Sequence, residues 1–176
     1  MSSFSGTYFD LFGLPANFVV QDQELANAYR TVQAHTHPDR FAADSEAQKR
    51  IALQWATHAN DAYRTLKDPL QRAIYLLQLR GIETQAEHNT VMAHAFLMLQ
   101  LEWREAIEAA QLEKNLPALQ ALLDKLHHER TLRLTKLVSL FEAQMDQAAA
   151  EVVRELMFIE RVAQEAQAQI ENLEYA

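Results

Sequence analysis

Leu25, Ala28, Tyr29 and Val32 recur at three- and four-residue spacing, and beyond a break Ile51, Trp55, Ala59, Ala62 and Leu66 do the same. The pattern predicts two amphipathic helices whose apolar faces pack on each other as an antiparallel hairpin. The break contains His37-Pro38-Asp39. Pro38 lacks a backbone N–H and pushes His37 towards extended geometry, so the first helix must stop near Thr36 and the tripeptide is displayed on the connecting loop. Gln21 or Asp22 begins that helix, with Gln23, Asn27, Arg30 and Gln33 outward. Asp44 or Ser45 caps the next, which runs through Leu66. Ahead of the hairpin, Tyr8 to Leu14 reads as an aromatic-rich helical turn closed by Gly13 and Pro15 and placed to plug the hairpin's open end. Behind it, Asp68 as cap and Pro69 as first residue start a fourth helix with Leu70, Ile74 and Leu77 inward, stopped by Gly81.

The polar stretch 81–89 is the expected boundary between an N-terminal domain, 1–80, and a C-terminal one, 90–176. The second is three helices by pattern, at about 90–111, 117–144 and 147–174, turning at Asn115-Leu116-Pro117 and near Asp146 and packing as a three-helix bundle. Because the joint around Gly81 is short and has no Gly/Ser tract, the halves are expected to hold a fixed bent, L-like arrangement. The first bundle helix has two apolar sides. At 100 degrees per residue, Met92, Phe96, Leu99, Trp103 and Ile107 fall within about 80 degrees of one another and form the core stripe. Leu97, Met98 and Leu101 lie opposite, followed along that side by Glu105 and Glu108. They either pack on the N-terminal domain or a neighbouring helix, or form a binding face.

Composition sharpens this to an all-α protein: three glycines and four prolines in 176 residues, with 49% apolar residues to build a core. The absence of cysteine excludes disulfides and thiolate-held metals on this chain. His35 and His37 with Asp39 suggest metal ligands, but two histidines beside a helix end lack a convincing third and fourth partner, and His127-His128 reads as a solvated pair, so no metal or cofactor is expected. The first residues lack a basic start and an apolar segment, and no apolar run approaches membrane-spanning length, which makes the cytoplasm the expected location. The net charge of -8 is uneven. Residues 1–80 hold eight Lys/Arg against eight Asp/Glu, whereas 81–176 hold eight against sixteen. That balance disfavours nucleic acid, and a helix-turn-helix reading finds no basic recognition helix. With no phosphate loop and no nucleophile motif, an enzyme is not expected.

The tripeptide followed by Asn60-Asp61-Ala62-Tyr63-Arg64, Leu66, Asp68-Pro69, Arg72 and Tyr75 resembles a J-domain, the module by which co-chaperones engage heat-shock ATPase chaperones. Ala95-Phe96-Leu97-Met98, Leu101-Glu102, Arg104-Glu105 and Glu151-Val152-Val153-Arg154 through Phe158 narrow the resemblance to the HscB type, the co-chaperone of iron-sulfur cluster assembly, over nearly the whole chain. It implies that His37, Pro38, Asp39, Arg30 and Arg40 contact an HscA-type ATPase chaperone and activate its ATPase. It also implies that Leu97, Met98, Leu101, Glu102, Glu105 and Phe158 hold an IscU-type scaffold protein. Two departures stand out: Ala28 and Ala34 occupy positions where relatives can carry arginine, and Ala109 replaces a further acidic residue, with Glu108 beside it. The alternative is a J-protein that delivers unfolded clients to a general DnaK-type chaperone; preference for a folded partner discriminates the two.

Overall fold

A computed structural model describes residues 6–36, 45–84 and 94–174, and all regular structure in them is helical. The helices are α1 (Tyr8–Phe12), α2 (Asp22–Thr36), α3 (Glu46–Lys67), α4 (Pro69–Leu79), α5 (His94–Leu112), α6 (Leu116–Glu142) and α7 (Asp146–Glu174). The chain divides into two compact units, 1–76 and 77–176. The expected 81–89 boundary segment is described only as far as Thr84.

In the first unit, α2 and α3 form the hairpin and α1 packs on both. Thr7 caps α1 through a reciprocal box, its hydroxyl accepting from the Asp10 N–H while the Asp10 carboxylate accepts from the Thr7 N–H. The Thr7 backbone N–H, and after it the Thr7 hydroxyl, donate to the carboxylate and hold the Asp10 pKa below its ordinary value. Gly13 closes the turn in the left-handed region at φ +64°. The N-cap of α3 is Ser45, with Gln48 completing a second capping box.

The apolar stripe of α3 differs in detail from the pattern reading. Ala52, Ala59 and Ala62 are fully buried, while Ile51 and Trp55 are half-buried. The most buried positions of α3 are thus three alanines and Leu66, with the larger Ile51 and Trp55 at the edge of the buried face. Leu25, Leu66, Phe9, Phe12 and Phe18 complete this core.

Arg72, only 5% exposed, is the charged member of that interior among the described residues. Its Nε donates to the Leu66 carbonyl and its Nη1 to the Phe18 carbonyl, each at 2.7 Å. One side chain therefore joins the end of α3 to the loop that precedes α2. Burial pushes the Arg72 pKa down, opposed by Asp22 and Asp68. Tyr75 plays the matching part for α1. Its hydroxyl accepts from the Tyr8 N–H at 2.9 Å and its ring stacks on Tyr8 at 4.5 Å. Burial raises the Tyr75 pKa, so the phenol stays protonated throughout the neutral range.

In the second unit α6 and α7 run antiparallel and α5 lies on both. Phe96, Trp103, Ile107 and Ala110 of α5 meet Leu119, Leu122 and Leu126 of α6 and Ile159, Val162, Ala166 and Ile170 of α7. Both turns end in a left-handed residue that is not glycine, Lys114 at φ 51° and Gln144 at φ 55°. Each is followed by a bond that closes a Schellman-type cap, Asn115 N–H to the Ala110 carbonyl and Met145 N–H to the Leu140 carbonyl. Asn115 then caps α6 by accepting from the Ala118 N–H.

Arg72→Met is expected to destabilise the protein by about 2–4 kcal/mol, because it strips a charged donor from two buried carbonyls while keeping the aliphatic stem. Urea unfolding monitored by helical circular dichroism measures it; a change below about 0.5 kcal/mol would contradict the clamp.

Candidate functional site

Two surfaces carry the residues singled out from the sequence. On the first, His37, Pro38, Asp39 and Arg40 lie outside the described residues, but both stems of their loop are described. Thr36 ends α2 buried, its hydroxyl donating to the Val32 carbonyl at 3.0 Å. Ser45 opens α3 with its capping box.

Deeper in the hairpin, the Tyr29 hydroxyl donates to Asn60 Oδ1 at 2.7 Å, and the Tyr29 and Tyr63 rings stack at 4.2 Å. Asn60 and Tyr63, read from the sequence as part of a signature, thus pin α3 to α2. Arg30 stands on the exposed side of α2. Its Nε donates to the Ala26 carbonyl at 3.3 Å and its Nη2 to Asn27 Oδ1 at 2.8 Å, which lays the guanidinium back along its own helix. Gln23, Asn27 and Gln33 are exposed on the same side.

The second surface is the outer side of α5. Trp103 and Ile107 are 0% and 2% exposed, whereas Leu97, Met98 and Leu101 are 44%, 54% and 52% exposed, so the two apolar sides separate as their spacing predicts. The latter three do not serve the core of their own bundle. Met92 lies outside the described residues.

Glu105 and Glu108 are exposed and form no ion pair with the described residues. Glu102 is engaged: Lys125 of α6 reaches its Oε1 at 2.6 Å. Phe158 of α7 is half-buried rather than standing free. Its ring lies edge-to-face with Phe96 at 6.0 Å and nearly parallel to Trp103 at 6.4 Å, with the Arg104 guanidinium 5.8 Å from its centre.

The first and second surfaces thus contain residues that the sequence patterns did not single out for these contacts. The Tyr29–Asn60 bond joins helices across 31 positions, and Lys125 comes to Glu102 from 23 positions away. Local periodicity places each residue on its own helix and says nothing of such partners. His127 and His128 are exposed, and no cluster suited to a metal ion occurs among the described residues. No described helix is long and apolar enough to cross a membrane.

Comparison with known proteins covers both surfaces. Residues 7–75 match the DnaJ domain, and residues 92–167 match the family described as the HSCB C-terminal oligomerisation domain. The chain is 60% identical over 174 residues to a co-chaperone protein HscB homolog of Burkholderia vietnamiensis, with 99% of each chain covered. Among solved structures it resembles chaperone HscB from Vibrio cholerae, at 38% identity and a TM-score of 0.82, over 96% of this chain and 99% of that one. The human co-chaperone protein HscB matches at 25% identity with a TM-score of 0.85, over 95% and 83% of the respective chains.

Replacing Leu97, Met98 and Leu101 together by alanine is expected to leave the melting temperature within a few degrees of the parent, since truncation on an exposed face opens no cavity. Ile107→Ala, on the buried side of the same helix, should cost about 2–5 kcal/mol. Differential scanning calorimetry of the two variants checks the assignment, and equal losses would return the three residues to the core.

Proposed function

The chain belongs to the HscB family of J-domain co-chaperones, and from that premise we propose that it activates the ATPase of an HscA-type chaperone and brings it an IscU-type scaffold protein during iron-sulfur cluster assembly or transfer. The observation that carries this reading is the exposed apolar row of α5, which is set against a buried stripe on the same helix and lies in the half of the chain matched by the HscB-specific family.

His37, Pro38 and Asp39, with Arg30 and Arg40, form the chaperone-facing surface. The co-chaperone hydrolyses nothing. It moves the partner's equilibrium by binding the hydrolysing arrangement of the ATPase more tightly than the resting one, since differential affinity is the only means by which a partner shifts populations. The helices on either side of the tripeptide are joined by the Tyr29–Asn60 bond, and Ser45 caps the second of them.

Leu97, Met98, Leu101, Glu102, Glu105 and Phe158 form the scaffold-facing surface. About half of each of the three aliphatic side chains is open to water, so covering them is worth on the order of 1 kcal/mol apiece. Together that corresponds to about a hundredfold in affinity. The carboxylates steer a partner carrying a basic patch, so raised salt should slow association more than it hastens dissociation. Holding both ligands on one chain raises the local concentration of scaffold at the chaperone.

Two variants test the two surfaces separately. In single-turnover ATPase measurements with an HscA-type chaperone, His37→Gln should lose stimulation while remaining folded and still binding scaffold. The Leu97, Met98, Leu101 triple-alanine variant should stimulate the ATPase normally in the absence of scaffold, yet bind IscU-type scaffold about a hundredfold more weakly by titration calorimetry. Full stimulation by His37→Gln, or undiminished scaffold binding by the triple variant, overturns the corresponding half of the proposal.

A further inference from the structure

The carboxylates beside the apolar row of α5 are not equivalent. Glu102 is held by Lys125 at 2.6 Å, the ammonium reaching across from α6, and the two side chains are 58% and 46% exposed. Glu105, one turn further along, and Glu108 beyond it have no such cation among the described residues. A basic group approaching Glu102 therefore meets a carboxylate already neutralised, and it meets the positive charge of Lys125 itself. The same group approaching Glu105 meets neither obstacle.

We infer that Lys125 is a specificity-determining residue of the α5 face, an intramolecular competitor that withholds Glu102 from a basic partner and leaves charge recognition to Glu105 and Glu108. This rests on the reading of that face as the scaffold-binding surface and refines it, because Glu102 and Glu105 then make unequal contributions. The competition is mild. An exposed ion pair is weak and salt-screened, so it attenuates binding without blocking it, and the attenuation fades as ionic strength rises.

The physical alternative has the opposite sign. If Lys125 served to hold Glu102 in the rotamer that a partner needs, removing it would weaken binding. The geometry favours competition, because an acceptor paired with an ammonium within its own fold must give up that partner, or share it, before it can receive another cation.

The test uses the full-length chain and an IscU-type scaffold protein at low and raised salt, with binding followed by stopped-flow association and titration calorimetry. Lys125→Met keeps the aliphatic stem and leaves Glu102 exposed to solvent, so no buried charge is orphaned; thermal melting verifies the fold. At low salt it should associate faster and bind about threefold more tightly, the factor that an exposed pair's strength corresponds to. Glu102→Gln should weaken binding, but by less than Glu105→Gln does, and both losses should fade as salt rises. In a Glu102→Gln background, the gain from Lys125→Met should shrink. Unchanged or weaker binding by Lys125→Met, or an equal loss from Glu102→Gln and Glu105→Gln, overturns the inference while leaving the scaffold-binding reading intact. Undiminished binding by the Leu97, Met98, Leu101 triple-alanine variant removes that reading and the inference with it.

Discussion

Burial of Trp103 sets the rotation of α5 about its own axis, and the character of the candidate scaffold-binding face follows from that rotation. With Phe96 and Ile107 it enters the interior lined by Leu119, Leu122, Leu126, Ile159 and Val162. Turning the helix by a single residue would expose an indole and bring glutamates against that lining, at a cost of several kcal/mol in lost burial and desolvated charge. Leu97, Met98 and Leu101 consequently have nowhere to go but outward. The same rotation presents Glu102 towards α6, where Lys125 meets it, and brings Arg104 over the ring of Phe158.

The first unit solves a different problem, which is to keep the helices of its hairpin from splaying. Hydrophobic contact alone is poorly directional, and much of this seam is alanine. Specific polar contacts supply what the methyl groups lack. Tyr29 to Asn60 ties α2 to α3, Tyr8 to Tyr75 ties α1 to α4, and Arg72 ties the end of α3 to the loop before α2. Asn60, Arg72 and Tyr75 belong to the J-domain signature, and in the structure they lock the helices of this unit to one another.

Charge is divided in a similar way. The second half of the chain carries twice as many Asp/Glu as Lys/Arg, yet several of its cations are spent inside the bundle. Arg130 pairs with Glu160 at 3.0 Å, and Arg133 with Glu155 at 3.1 Å and with Glu129. Such pairs add little to stability individually. Their larger effect is to remove cations from the outward field, so that the carboxylates left unpaired along α5 set its sign.

Periodicity and punctuation determined most of the architecture. Pro38, Pro69, Gly13 and Gly81 mark where helices cannot continue, and the three-to-four-residue recurrence of apolar side chains names the inward sides, because both are local consequences of backbone sterics and helix geometry. Even the two apolar sides of α5 were legible, since 100 degrees per residue is fixed by the helix itself. What the sequence left open required three dimensions. It could not say that Ala52 would be buried more deeply than Ile51 and Trp55, that Phe158 would lie half-buried against Trp103, or that Lys125 would reach Glu102. Each depends on which residues of distant segments arrive at the same place, and that is decided by how helices pack, with no imprint on the local pattern of either partner.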